Sequence, residues 1–267
     1  MKRFLPLIAL LLTLASCQVL GGGGDDNVAG SNADPRETIY WTRTPETVVF
    51  RTDVVGGETA QLFTAKNEIP NCTIYGDNHI IWTNTAGDNS TQILTDIIPD
   101  ATLYRFFTDL TIADRIYTYT AGANTQPPST TAPVVETLAL NIGGREHITD
   151  AFGGWTYPYF ESILNRCMAL SEAPAIYEPS EAWISAVEVP YDSNRPQRLW
   201  DNVASGLDLA QIADGGEPQW ITGNNVAIIW ALIRGGGAEV QFAQDIRNFN
   251  VALQVPNVTR DAPPRPD

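Results

Sequence analysis

The chain has 267 residues and a formal charge of -15, from 31 acidic and 16 basic side chains, with Lys at positions 2 and 66 alone. Cations this scarce argue against a phosphate-tracking surface, and so against nucleic acid as a partner. A hydrophobic content of 43% with 9% aromatics rules out global disorder, and the length allows one large domain or two small ones.

The first residues read as an address. Lys2 and Arg3 form a positive start, and Leu5 to Leu14 an apolar run broken by Pro6 and Thr13. That run is shorter than the ~20 residues a spanning helix needs, and it fits a secretory signal. It ends in Leu14-Ala15-Ser16-Cys17, which resembles the lipobox of bacterial lipoproteins. The resemblance implies a signal peptide over residues 1–16 and lipidation of Cys17, with palmitate-type acyl chains. The competing reading is an ordinary signal peptide with a chance Cys. Residues 17–37 carry Gly21 to Gly24, Asp25-Asp26-Asn27 and Gly30-Ser31-Asn32, a flexible tether. Two or three acyl chains hold a protein on a membrane where one binds marginally. Cleavage would remove Lys2 and Arg3 and take the formal charge from -15 to -17. Gln18 behind Cys17 favours the outer membrane in a cell with two membranes; with one membrane, the protein faces outward.

A globular domain is expected over residues 38–256, followed by a Pro-rich tail over 257–267. Thr47 to Val55 is rich in β-branched residues and reads as a strand ended by Gly56-Gly57. Gln61 to Phe63 reads as a second short strand. Cys72 to Tyr75 and His79 to Trp82 flank Gly76-Asp77-Asn78 and predict a β-hairpin. Leu103, Phe106, Phe107 and Leu110 predict an amphipathic helix over Asp100 to Asp114, with Asp100 as N-cap. Residues 121–133 read as a loop. Val134 to Ile142 and Arg145 to Ala151 form a second hairpin about Gly143-Gly144. Tyr157 to Leu170 has the helical period, with Phe160, Ile163, Leu164 and Cys167 on one face. Trp183 to Val189 reads as a strand, Asp192 to Pro196 as a turn and Leu207 to Ala213 as a short helix. Thr222 is expected to cap a helix stopped by Gly235-Gly236-Gly237. Ala238 to Ala243 and Asn248 to Val255 read as strands. Strand pairs alternating with single helices argue for an α+β fold, mainly antiparallel hairpins packed with a few amphipathic helices, with room for two similar halves.

The segment from Val55-Gly56-Gly57 to Pro70-Asn71-Cys72-Thr73-Ile74-Tyr75-Gly76-Asp77-Asn78-His79-Ile80 resembles a pattern of uncharacterised secreted proteins and lipoproteins of bacteria. There a Gly-Gly pair precedes a hairpin reading Tyr-Gly-Asp-Gly, where this chain has Asn78. Gly143-Gly144-Arg145-Glu146-His147, Thr222-Gly223-Asn224 and the strand before Pro256 are similar to the same family. The resemblance implies fold and location and no activity. In plan the chain also resembles small secreted protease inhibitors, an architectural analogy that carries no function.

Chemistry is sparse. With Cys17 assigned to lipid, Cys72 and Cys167 remain as an even pair, open to a disulfide in an oxidising compartment or to two buried thiols. Asp77, His79, Glu146 and His147 would suit a divalent metal if the two hairpins lay side by side, though turn and strand positions account for each alone. No catalytic residue, nucleophile elbow, phosphate loop or cofactor fingerprint stands out, and no cofactor is expected. Trp155, Tyr157 and Tyr159, between Gly153-Gly154 and the next helix, are the candidate exposed binding loop; their bland role is a helix staple. The sequence thus points to a lipid-anchored extracytoplasmic domain that touches the membrane through Cys17 and binds a protein or envelope ligand. An envelope hydrolase using acidic residues and an inhibitor of an exported protease are the alternatives.

Overall fold

The structure, a computed structural model, describes residues 39–85, 91–122, 133–236 and 240–266. The predicted leader over 1–16, Cys17, the predicted tether over 17–37 and positions 123–132 of the predicted loop lie outside the described residues. No helix among the described residues is long and apolar enough to cross a membrane.

The fold is α+β, with two sheets built largely from antiparallel pairs. The larger contains β1 (Val48–Gly56), β2 (Cys72–Tyr75), β3 (His79–Thr85), β4 (Thr91–Ile97), β5 (Val134–Ile142), β6 (Arg145–Asp150) and β7 (Ala175–Ile176). Its order is β6-β5-β1-β2-β3-β4-β7. The smaller contains β8 (Glu181–Val189), β9 (Gln197–Leu199), β10 (Gln219–Thr222), β11 (Gln241–Gln244) and β12 (Arg247–Gln254), ordered β10-β8-β12-β11-β9. The helices are α1 (Asp100–Thr108), α2 (Tyr159–Met168), α3 (Asn202–Ser205), α4 (Leu209–Gly215) and α5 (Asn224–Gly236). The two sheets differ in strand number and order, so they are not two copies of one half.

Both predicted hairpins form, β2–β3 and β5–β6. Turn chemistry explains the first. Asn78 has a φ of 71°, a left-handed conformation that Asn tolerates. A Cβ on Gly76 would stand 2.0 Å from the Thr42 carbonyl oxygen, so the position admits only Gly. β1 separates the two hairpins, pairing with β2 on one side and β5 on the other.

Strand alternation sorts the larger sheet into two faces. Phe50, Cys72, Ile74, Ile80, Trp82, Leu138 and Leu140 pack with Leu103, Phe106 and Phe107 of α1 and Phe160, Ile163 and Cys167 of α2. Phe50 meets Phe106 edge-on at 5.2 Å, and a disulfide joins Cys72 of β2 to Cys167 of α2. On the opposite face, Tyr75, Ile81 and Ile93 enter a second core with Ile184 of β8, Leu253 of β12, Leu209 of α4, and Ile229 and Trp230 of α5.

Asn67 stitches this second region together. β11 stops opposite Phe249, which leaves the later backbone of β12 without a strand on that side. The buried Asn67 amide takes that place: Nδ2 donates to Val251 O at 3.0 Å, and Oδ1 accepts from Leu253 N at 2.8 Å. A side-chain amide thereby satisfies one acceptor and one donor that burial would otherwise strand.

Several expectations are corrected. Gln61 to Phe63 is not a strand, because β1 is already paired on both edges; the stretch lies in two 3-10 turns, Glu58–Gln61 and Phe63–Asn67. α1 ends at Thr108, and a wider π turn carries the chain from Asp109 to Ala113. Asp100 is not the cap of α1; Pro99 holds that position and Asp100 pairs with Arg43 at 2.6 Å instead. Thr222 ends β10 opposite Glu181 rather than capping α5. The closing segment is not a free tail. Val258 and Thr259 are buried, Asn257 O accepts from Tyr75 Oη at 2.7 Å, and Arg260 N donates to Glu68 O at 2.8 Å. Strand β4 was not foreseen, since only Ile93 of its residues is fully buried.

Candidate functional site: an open groove on the larger sheet

The same alternation that sends Phe50 and Thr52 toward the helices puts Arg51, Asp53 and Val55 on the other face. Register aligns Arg51 with Ala139 and Asp53 with Thr137, and Ala139 in turn with Ile148. Over β2, β3 and β4 this face is covered by the second core. Over β1, β5 and β6 it forms an open groove of about 670 Å³. The Glu58–Asn67 turns supply one wall, with Leu62, Phe63 and Lys66, and Arg260 and Asp261 line it too. A further hollow of about 220 Å³, bounded by Val48, Asn141 and Glu146, shares Arg51, Ala139 and Ile148 with it. The groove therefore continues along the strands with Arg51 at the join.

Its charges are unevenly satisfied. Asp53 accepts at both oxygens from Arg260, from Nε at 3.0 Å and from Nη2 at 2.6 Å. Arg260 also pairs with Glu68. Burial pulls the Arg260 guanidinium toward releasing its proton, but Asp53 and Glu68 outweigh it and its pKa is raised. Arg51 has no such partner. Its Nε is buried without a hydrogen-bond acceptor, and no carboxylate among the described residues forms an ion pair with it. The Lys66 ammonium rests 5.0 Å over the Phe63 ring, and it too lacks an ion pair among the described residues. Two cations in a chain so poor in them thus face a groove with their charge unpaired.

The size falls within the range of about 300–1,000 Å³ typical of ligand sites. The chemistry is that of binding: guanidinium and ammonium donors, with the carboxylates of Asp53, Asp261 and Glu146, among aliphatic walls. Asp53, with both oxygens engaged by Arg260, is poorly placed to act as nucleophile or base. The carboxyls that are displaced in acidity, Asp96, Asp100, Asp208 and Asp214, are all lowered, by hydrogen bonds from Ser171, Arg43, Gln244 and Arg247 respectively. None of the four lines the groove.

The predicted metal set is not assembled. β3 and β6 are separated by β2, β1 and β5, which places His79 and His147 about 19 Å apart across the sheet at ~4.8 Å per strand. Asp77 Oδ1 accepts from His79 N at 3.1 Å, the bond of a turn. The His79 ring bonds Thr95 Oγ1, whose own proton goes to Ile80 O. His147 points to the helix side of β6, donates from Nε2 to Ile116 O at 3.1 Å and meets Tyr117 edge-on. Glu146 lies on the other face of β6, lining the smaller hollow. Among the described residues no group of three or more His, Cys, Asp or Glu is placed to hold a metal.

The predicted aromatic loop is also corrected. Trp155 is buried, stacked on Tyr159 at 5.5 Å, and Tyr159 donates to Asp114 O at 3.1 Å. Only Tyr157 is left out, 84% exposed. The pair serves as a staple at the start of α2 because Tyr119 closes on it from the neighbouring turn, 4.9 Å from Tyr159.

Sequence reasoning missed Arg51, Arg260 and the groove. Lys66 carried a signal, as one of two Lys in the chain. Arg51 carried none, since Asp53 two residues on looks like its natural partner and is taken by Arg260. The chain matches no known protein family, no curated protein and no solved structure.

Proposed function

We propose that this is a lipid-anchored extracytoplasmic bacterial lipoprotein whose folded domain binds a protein or envelope ligand in the groove over β1, β5 and β6, without covalent chemistry. The observation that carries the binding reading is Arg51, a guanidinium at the join of the two hollows with no ion pair among the described residues. An anion entering the groove would supply the missing partner through a charge-assisted hydrogen bond. The anchor rests on the lipobox around Cys17, the tether behind it and a mature charge of -17, which would hold the domain off an anionic bilayer at low salt.

Two measurements test it. Cells fed an alkynyl fatty acid should label the wild-type chain and leave Cys17→Ala unlabelled and released from membranes; equal labelling would remove the anchor. The full chain in detergent should bind at least one of three anionic probes: inorganic phosphate, an acidic peptide pool or an anionic polysaccharide. Arg51→Gln should weaken that binding about tenfold or more, the loss of a charge-assisted pair. Binding of none of the three would end the groove reading.

A further inference from the structure

We infer that the groove accepts a polypeptide segment in extended conformation, with a carboxylate side chain at its centre and aliphatic side chains on either side; this rests on the groove being the binding site. Shape is the first argument. The two hollows share Arg51, Ala139 and Ile148 and follow β1 from Val48 to Gly56. The nine residues of β1 extend about 27–30 Å at ~3.3 Å per residue, and an extended chain of about eight residues spans as much. A compact anion such as phosphate would use only the ground next to Arg51.

The lining is the second argument. Val55, Leu62, Ala139 and Ile148 offer aliphatic surface. Ile148 is 52% exposed although it lies on a strand. Sugar polymers stack their C–H faces on aromatic rings, and Phe63, the aromatic residue of this lining, already carries the Lys66 ammonium. Aliphatic walls suit aliphatic side chains, whose burial yields about 25 cal/mol per Å².

Charge fixes the register. Arg51 stands where the hollows meet, and its guanidinium, which forms no ion pair among the described residues, would donate a charge-assisted hydrogen bond to a carboxylate. Glu146 lies toward the Asn141 end of the floor. Asp261 follows Arg260, which grips Asp53 toward the opposite end. An acidic side chain at either end would meet a like charge, so the carboxylate belongs in the middle. Lys66 on the wall adds a second, weaker attraction.

The test uses the full chain in detergent and fluorescence anisotropy with labelled octapeptides. One set carries a central Asp or Glu between aliphatic residues; a matched set carries the amide. The acidic set should bind, about tenfold or more tightly than the amides, and more weakly as salt rises. Arg51→Gln should erase the difference between the sets, and Lys66→Gln should reduce it less. Equal binding of acids and amides would overturn the inference, and so would binding of the polysaccharide or phosphate probe with none of the peptides. Those two results leave the groove as a binding site. Binding of no probe removes both. The acid-to-amide comparison uses the unaltered protein, so a variant that misfolds does not blunt the test.

Discussion

At the scale of single residues, Asn67 is the side chain with the most at stake. It bonds two backbone groups of β12 through its amide, and its own carbonyl accepts from Arg234 Nη2 at 2.6 Å. Asn67→Ala would strand Val251 O and Leu253 N in a buried site. At about 1–3 kcal/mol for each of the two stranded groups, the expected loss is roughly 2–6 kcal/mol, read as a fall in the urea midpoint with an unchanged slope. A loss below about 0.5 kcal/mol, the ordinary surface range, would mean that water replaces the amide. Arg51 belongs to this scale as the counter-example. Both residues were plain letters in the sequence, and what separates them is whether the fold supplies a partner.

At the scale of elements, the tie between β2 and α2 is the one to probe. Cys72 and Cys167 are 95 positions apart and bonded. In the chain-entropy description, closing a loop of that length in the unfolded chain is worth about 4–5 kcal/mol. Replacing both Cys by Ala should lower stability by up to that amount, and a reducing agent should lower the wild-type midpoint while leaving the double variant unmoved. A reductant-insensitive wild type would show that the bridge is absent from the protein in solution. The elements were legible where local chemistry decides them. The turn at Gly76-Asp77-Asn78 is one case, as Asp and Asn accept its geometry. The apolar stripe of α2 is another. They were illegible where pairing decides them. Gln61 to Phe63 has strand-like letters, but β1 offers no free edge, and Thr222 is held in β10 where Trp220 sits opposite Trp183, ring centroids 5.4 Å apart.

For the whole molecule, acid should act in two stages. Burial lowers the pKa of both His79 and His147 below the usual 6.5. The unfolded chain then binds more protons than the folded one as pH falls through 6.5, so their contribution is complete above that pH and shrinks below it. Asp96, Asp100, Asp208 and Asp214 are lowered from 3.8, so their contribution persists until pH falls through that value toward their folded ones. Thermal midpoints should decline between about pH 6.5 and 5 and again below about pH 4. The first decline should vanish in the His79→Gln, His147→Gln double variant. A flat profile from pH 7 to 5 in the wild type would mean that the two rings stay accessible to water.

The sequence by itself determined the α+β class, the two hairpins, the amphipathic faces of α1 and α2, and the scarcity of cations. Each of these depends on neighbours in the chain or on composition, which the letters contain. Only the tertiary structure decided that β1 lies between the hairpins, that His79 and His147 stand strands apart, and that Trp155 turns inward against Tyr159. It alone gave Asp53 to Arg260 and left Arg51 and Lys66 without an ion pair among the described residues, over an open groove. Those outcomes follow from long-range register and from competition among partners far apart in sequence, which no local pattern encodes.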